Sequence, residues 1–304
     1  MNYFNDINTK FPIRRNDEQK EYFRKYIIKE TKKYNYQSKV ETLDKSSNIV
    51  IGDVEQAEVV FTAHYDTPAS SIIPNLMLPL NKGLGYIQKL LFYIVLAVIA
   101  LGISKLIVMN LFNDDNLLFV LYYLLFYFVL MYLTVLCVTN KNNYNDNTSG
   151  VASIMSIVSE IKSDKVAFIL FDNEEKGLLG SKSYNKKYQD IMKNKLVINL
   201  DCVGNGNNFI FIYKEKVSDN KYYLLLKEVF VSNDKYKVIY ENDKIGSFNS
   251  DNKSFDLSIG VSACTLSKNN IYYTSRIHTN KDNLIDLDNI NYITDKMKEF
   301  IERM

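Results

Sequence analysis

The sequence predicts an α/β fold, a mixed, mostly parallel β-sheet flanked by helices and interrupted by a two-helix transmembrane insertion. Three observations predict it. Short apolar runs alternate with longer helical stretches, as in a layered α/β domain. Two long apolar stretches fall together between residues 84 and 139. The side chains able to do metal chemistry fall at the ends of the short runs or in the loops after them, where open α/β sheets place their sites.

In chain order, residues Asn16–Tyr34 read as a helix started by Asn16 or Asp17, and VVFTA at 59–63 reads as a buried strand ending at His64. After the apolar stretches come a helix at 149–162, strand KVAFILF, a helix at 178–193 and strand KLVINL. Strand NFIFIYK, a helix from about 219 to 233, strand KVIYE, the apolar run VSACTL and a final helix from Leu287 complete the chain.

Gly85–Leu111 is dominated by Leu, Ile, Val, Phe and Ala, and Leu117–Val138 carries no charged residue. Each is long enough to cross roughly 30 Å of hydrocarbon as a helix. Neither shows the polar stripe of a core helix. Lys82, Lys89 and Lys141 flank the pair, whereas the connecting NLFNDDN holds only acid, so both outer flanks are expected in the cytoplasm. Lys105 is discordant and is expected to snorkel to the opposite interface. The N-terminus lacks the apolar core of a secretory signal. The expected organisation is therefore residues 1–83 and 140–304 joined as one cytoplasmic catalytic domain, with 84–139 inserted as a hairpin in the bilayer.

Composition excludes some partners. A net charge of +2 gives no footprint for nucleic acid. Cys137, Cys202 and Cys264 have no CxxC spacing, so neither a disulfide framework nor a cysteine zinc site is indicated.

The chemistry gathers around the only two histidines, His64 and His278. Between them lie Asp146 in NDNTSG, Glu174-Glu175 in FDNEEKGLLGS and Asp201 in INLDCVG. On extended backbone, residues two apart share a side, so His64 and Asp66 face one site, with Asp66 accepting the second ring N–H of His64. Adjacent Glu174 and Glu175 diverge, so one can bind metal while the other takes a proton from water. Asn199 and Asp201 again share a face, with Asp201 as ligand and Asn199 as support. Singly these are ordinary features: a chance HxD, a solvated EE, a turn leading to an N-cap. Their order, each after an apolar strand or opening a helix, is what makes them specific.

The series AHYD, DNTSGVA, FDNEEKGLLGS, NLDCVG, SDNKSFDLSIGVSACTL and IHTNKDN resembles family twenty-eight of the metallopeptidases, the co-catalytic zinc aminopeptidases. The resemblance covers residues 55–66 and 140–300. It implies a zinc-peptidase-like fold, peptide substrates and two Zn2+ per chain, with Co2+ or Mn2+ as substitutes. It further implies that His64 and Asp201 hold one ion, Glu175 and His278 the other, that Asp146 bridges them, that Glu174 is the general base activating a bridging water, and that Asp66 orients His64. Two alternatives remain: amide or cyclisation chemistry of the glutaminyl-cyclase kind, and a noncatalytic binding protein.

The chain departs from the family at Ile277, where some members place an oxyanion-binding tyrosine, leaving Tyr272, Tyr273 or metal to serve. The family's SDH reads Ser250-Asp251-Asn252. The largest departure is the insertion between His64 and Asp146. Only residues Asn140–Asn145 separate the second apolar stretch from Asp146, a reach of about 20 Å. The site is therefore expected near the membrane surface, suited to peptides released there; simple tethering of a general aminopeptidase is the alternative.

Overall fold

Local capping starts the first elements. Helix α1 (Tyr3–Lys10) is capped by Asn2. Helix α2 (Asp17–Lys33) begins with a reciprocal capping box: Asn16 Oδ1 accepts the Gln19 N–H, and Gln19 Oε1 accepts the Asn16 N–H. This pairing satisfies two N-terminal donors that the helix itself cannot. The computed structural model describes residues 2–70, 76–111, 116–135 and 139–304.

The elements that follow are β1 (Ser38–Leu43), β2 (Ser46–Ile51), β3 (Val59–His64), α3 (Lys82–Leu111), α4 (Asn116–Val135), α5 (Gly150–Glu160), β4 (Val166–Phe171), α6 (Leu179–Met192) and β5 (Leu196–Leu200). Then come β6 (Asn208–Tyr213), α7 (Lys221–Val229), β7 (Lys237–Asn242), β8 (Ser258–Leu266), β9 (Tyr272–Tyr273) and α8 (Leu287–Arg303). Among the described residues, nine strands form one mixed sheet in the order β1-β2-β4-β3-β5-β8-β6-β7, with β9 on β8. Its centre, β4-β3-β5-β8, is parallel. Antiparallel pairings join β1 to β2, β2 to β4, β8 to β6 and β8 to β9.

Alternation along the strands divides the core. Val59, Phe61 and Ala63 of β3 face the helices α1, α2, α5, α7 and α8, whereas Val60 faces α6 with Ala167, Ile169 and Phe171. Both faces are covered, so the central strands are apolar throughout. The predicted helices and strands from Asn16 onward form within a few residues of their expected bounds. Helix α1 and strands β1, β2 and β9 have no counterpart among the expected elements. Strand β1, SKVETL, lies at the sheet edge with no buried residue, so its sequence lacks an apolar signature.

Helix α3 packs on α4, and large apolar side chains of both are exposed, among them Leu90, Val98, Leu106, Leu117 and Phe128. Among the described residues one helix, Gly83–Asn110, is long and apolar enough to cross a membrane, with mean hydropathy 2.5; the apolar helix Asn116–Leu130 is shorter. Lys105 is exposed on α3. Residues 112–115, which hold the acids of the expected connection, and 136–138, which include Cys137 and the end of the second expected stretch, lie outside the described residues.

Candidate metal centre

Register brings the first carboxylates to His64. Strands β3 and β4 pair in parallel with His64 opposite Phe171, three residues before Glu174. Strands β3 and β5 pair with Thr62 opposite Asn199, so two residues further His64 comes level with Asp201. The carboxyl edge of the sheet thus assembles side chains far apart in sequence.

The geometry centres on Asp146. Its Oδ1 lies 3.2 Å from His64 Nε2, and its Oδ2 lies 3.0 Å from His278 Nε2. Asp201 Oδ1 is 3.7 Å from His64 Nε2, and Glu175 Oε1 is 3.3 Å from His278 Nε2. Two three-residue groups with metal-ligand spacing share Asp146: His64, Asp146 and Asp201, and Asp146, Glu175 and His278. A third group is His64, Glu174 and Glu175, so the structure brings all six candidate side chains together.

Asp66 meets both His64 and the turn that follows β4. His64 Nδ1 lies 3.1 Å from the main-chain oxygen of Asp66 and 3.6 Å from its carboxylate. That carboxylate also accepts the main-chain N–H groups of Glu174 (3.0 Å) and Glu175 (3.2 Å). Asp66 therefore fixes the turn that carries both glutamates. Asn199 ties Thr62 to Ser250, accepting from the Thr62 hydroxyl and donating to Ser250 Oγ. The Tyr272 hydroxyl accepts from Lys237, and Ile277 is buried.

Several supports carry no mark in the sequence reading. Asp282 receives the N–H groups of Asn145 and Asp146, both at 3.0 Å, which aims the Asp146 side chain. Arg14 is wholly buried and donates to the Tyr65 oxygen (2.5 Å), the Phe11 oxygen (2.8 Å) and Thr148 Oγ1 (3.1 Å), tying the His64 segment to the Asp146 turn. Lys20 is buried on Asp172 and Asn173, just ahead of the glutamates. Asp282 lies four residues after His278, a usable signal; nothing local in FPIRRN marks Arg14 as buried. Gly150 is required where the helix start meets β5, since a Cβ there would come 2.5 Å from the Leu200 oxygen. His278 itself adopts left-handed backbone (φ 58°), unusual for a residue with a side chain.

Electrostatics describe a site that holds protons where cations would otherwise sit. Burial alone favours loss of the His64 proton, but Glu174, Asp146, Asp201 and Asp66 outweigh it and hold the imidazole well above its ordinary value. Burial likewise opposes charge on His278, yet Glu175 and Asp146 raise it to about 9. Burial, with Asp146, pushes Glu175 up to about 8 against the pull of His278. Burial also raises Glu174 well above the carboxylate range, reinforced by Glu175, Asp251 and Asp201. Asp146 goes the other way: burial opposes it, but its bonds to both histidines keep the carboxyl low. Glu175 Oε1 and Asp201 Oδ1 are buried oxygens that accept no hydrogen bond. Imidazoles and carboxylates gathered at this spacing are zinc-type donors, and cations would replace the protons this cluster otherwise retains.

Imidazoles and carboxylates gathered at the carboxyl edge of this sheet form a candidate zinc site. Residues 138–301 match the model of Peptidase family M28, and the chain belongs to that family. No curated protein matches the sequence. Similar solved structures include a glutaminyl cyclase from Porphyromonas gingivalis (12% identity, 99% of this chain and 97% of that one, TM-score 0.61). A Zn-dependent exopeptidase from Parabacteroides distasonis is also similar (15%, 100% and 96%, 0.58). So is the LapA aminopeptidase of Legionella pneumophila (14%, 98% and 69%, 0.56). At these identities the likeness is one of fold. It extends over the N-terminal segment, which lies outside the family match.

Proposed function

We propose that this peptidase is a membrane-anchored aminopeptidase with a two-zinc site. His64 and Asp201 hold one ion, Glu175 and His278 the other, and Asp146 serves both. The observation that carries the reading is Asp146, whose two oxygens face two different histidines at 3.2 and 3.0 Å. When bound, such an ion pair polarises the scissile carbonyl and acidifies water. Glu174 takes the proton of the attacking water and delivers it to the leaving amine. Asp66 fixes the turn that carries Glu174 and Glu175 by accepting both their main-chain N–H groups.

Residues 1–83 and 140–304 form the catalytic domain in this reading, and 84–139 cross the bilayer twice as a hairpin with the catalytic domain in the cytoplasm. The exposed apolar side chains of α3 and α4 support it, as does the hydropathy of Gly83–Asn110.

The test is metal content together with hydrolysis of free-amine, N-blocked and N-terminal glutaminyl peptides by protein in mild detergent. The expected result is two zinc per chain and cleavage of free-amine peptides only. Glu174→Gln should keep its zinc and lose about 10²–10⁴-fold in kcat. Conversion of the glutaminyl peptide to a cyclised product, with no residue released, would replace the aminopeptidase reading with the cyclase one; bound zinc without turnover of any peptide would favour a binding protein.

A further inference from the structure

The described segments on either side of the apolar pair are tied to the rest of the fold. On the first side, the Met77 N–H donates to the Thr274 oxygen (2.9 Å) and the Thr274 N–H to the Met77 oxygen (3.0 Å). The Ser247 N–H donates to the Pro79 oxygen (2.8 Å), and Met77 and Leu80 pack on a cluster of Ile210, Ile212 and Phe248. Helix α3 starts at Lys82, two residues after Leu80. On the other side, Thr139 pairs with Ala69. Asn143 Nδ2 donates to the Pro12 oxygen (2.9 Å), and Asn142 Nδ2 donates to the Asn280 oxygen (2.5 Å).

These anchor points are the segments that carry the candidate ligands. Ala69 follows His64 by five residues, Thr274 precedes His278 by four, and Asn280 follows it by two. Four residues span at most about 14 Å. A tether needs only to retain the enzyme at a surface, which a flexible linker does. Here the first root joins its helix through Asn81 alone, and both roots are hydrogen-bonded to the catalytic domain. On the first side this mounting leaves little slack between the catalytic domain and α3.

We propose that the site draws its substrates from the bilayer surface: peptides whose apolar body partitions into lipid and whose free N-terminus lies among the headgroups. This rests on the aminopeptidase and bilayer readings above. Confinement to the same surface raises the effective concentration of such a peptide at the site without any added contact. A soluble peptide sharing its N-terminal residues gains nothing from the mounting.

The test uses the full chain, zinc-loaded, in phosphatidylethanolamine–phosphatidylglycerol vesicles. Two peptides share their first four residues; one is short and soluble, the other continues into an apolar segment that partitions into the bilayer. The bilayer-bound peptide should be cleaved at least about tenfold faster at equal bulk concentration. Its rate should fall as its mole fraction in the lipid is lowered at constant total peptide. Equal rates, insensitive to mole fraction, would overturn the proposal. Eight Gly/Ser residues inserted between Asn81 and Lys82, and again just ahead of Thr139, should leave soluble-peptide cleavage unchanged and abolish the preference. A preference that survives both insertions would refute the fixed mounting. Cleavage of neither peptide would instead overturn the aminopeptidase reading, a failure distinct from a lost preference.

Discussion

His64 and His278 face the two oxygens of one carboxylate, yet the protein holds them in opposite ways. His64 ends a central strand, its side chain is 1% exposed, and Arg14 ties the adjoining main chain to the Asp146 turn. His278 sits on left-handed loop backbone with its side chain 28% exposed. One half of the centre is part of the core, and the other is its open side. The loop that holds the open half also bonds to the roots of the apolar helices, through Thr274 and Asn280.

The largest effect that tests this division is pH dependence of the metal-free protein, because several groups act in one direction. Burial, with added repulsion from neighbouring carboxylates, lifts Asp251 and Asp282 to about 7 and Glu175 to about 8. His278 is at about 9 because nearby carboxylates outweigh its burial. Each keeps its proton in the folded chain to higher pH than in the unfolded one. Each therefore contributes stability that is complete below its unfolded value, near 4 for the acids and 6.5 for histidine, and is lost as pH rises through the folded value. Asp146 has the opposite sign, but its window lies at the acid end. In chelator, the thermal midpoint should fall between pH 5 and pH 9 by on the order of 10 °C. Saturating zinc should remove the fall, since cations take the place of the protons. A metal-free midpoint that rises with pH would break the account.

Next in size is the contrast between the histidines themselves. His64→Ala in the metal-free protein takes a buried partner from Asp146 in the core and should cost about 3–5 kcal/mol by urea unfolding. His278→Ala removes a partly exposed partner and leaves Asp146 still beside His64, so it should cost less, about 1–2 kcal/mol. Equal costs would mean that the two halves are not as different as their exposure indicates.

How much of this is legible in the sequence follows the same division. The strands β3, β4 and β5 are buried on both faces, so VVFTA, KVAFILF and KLVINL announce themselves as apolar runs, and the candidate ligands at their ends follow. The six candidate side chains named from the sequence lie together. What the sequence hides is contact made across the fold by residues of ordinary local character. Arg14 sits in a polar N-terminal stretch and is buried only because Tyr65, Phe11 and Thr148 converge on it. HxD spacing on an extended strand places Asp66 on the imidazole. The spacing does not reveal that the same carboxylate, beside the imidazole, also accepts the main-chain N–H groups of the Glu174 turn.

Arg14 gives the next smaller effect. Arg14→Met removes the guanidinium that lies over the Phe23 ring and leaves the Tyr65 and Phe11 oxygens and the Thr148 hydroxyl without that donor. The expected loss is about 2–3 kcal/mol of stability by urea unfolding, from bonds to a charged group whose partners stay buried. Zinc binding should weaken on the His64 side before the His278 side, read as two separate steps in a metal titration. Two sites weakened equally would show that Arg14 braces the whole cluster rather than its core half.

The smallest effect comes from Asp282, which buttresses the shared carboxylate from the open side. Its two oxygens accept from the Asn145 and Asp146 main chain, one each. Asp282→Asn puts a carboxamide there, with one acceptor oxygen and one amide donor, so one of those N–H groups loses its partner and meets a like dipole. The side-chain volume is unchanged and the fold should stand. Asp146 would lose its fixed aim, and loss of such outer support typically lowers metal affinity by about 10–100-fold. Because Asp146 serves both halves, both titration steps should shift together, in contrast to Arg14→Met. A shift confined to one step would mean that Asp146 belongs to one ion, and the shared-carboxylate reading of the centre would fall with it.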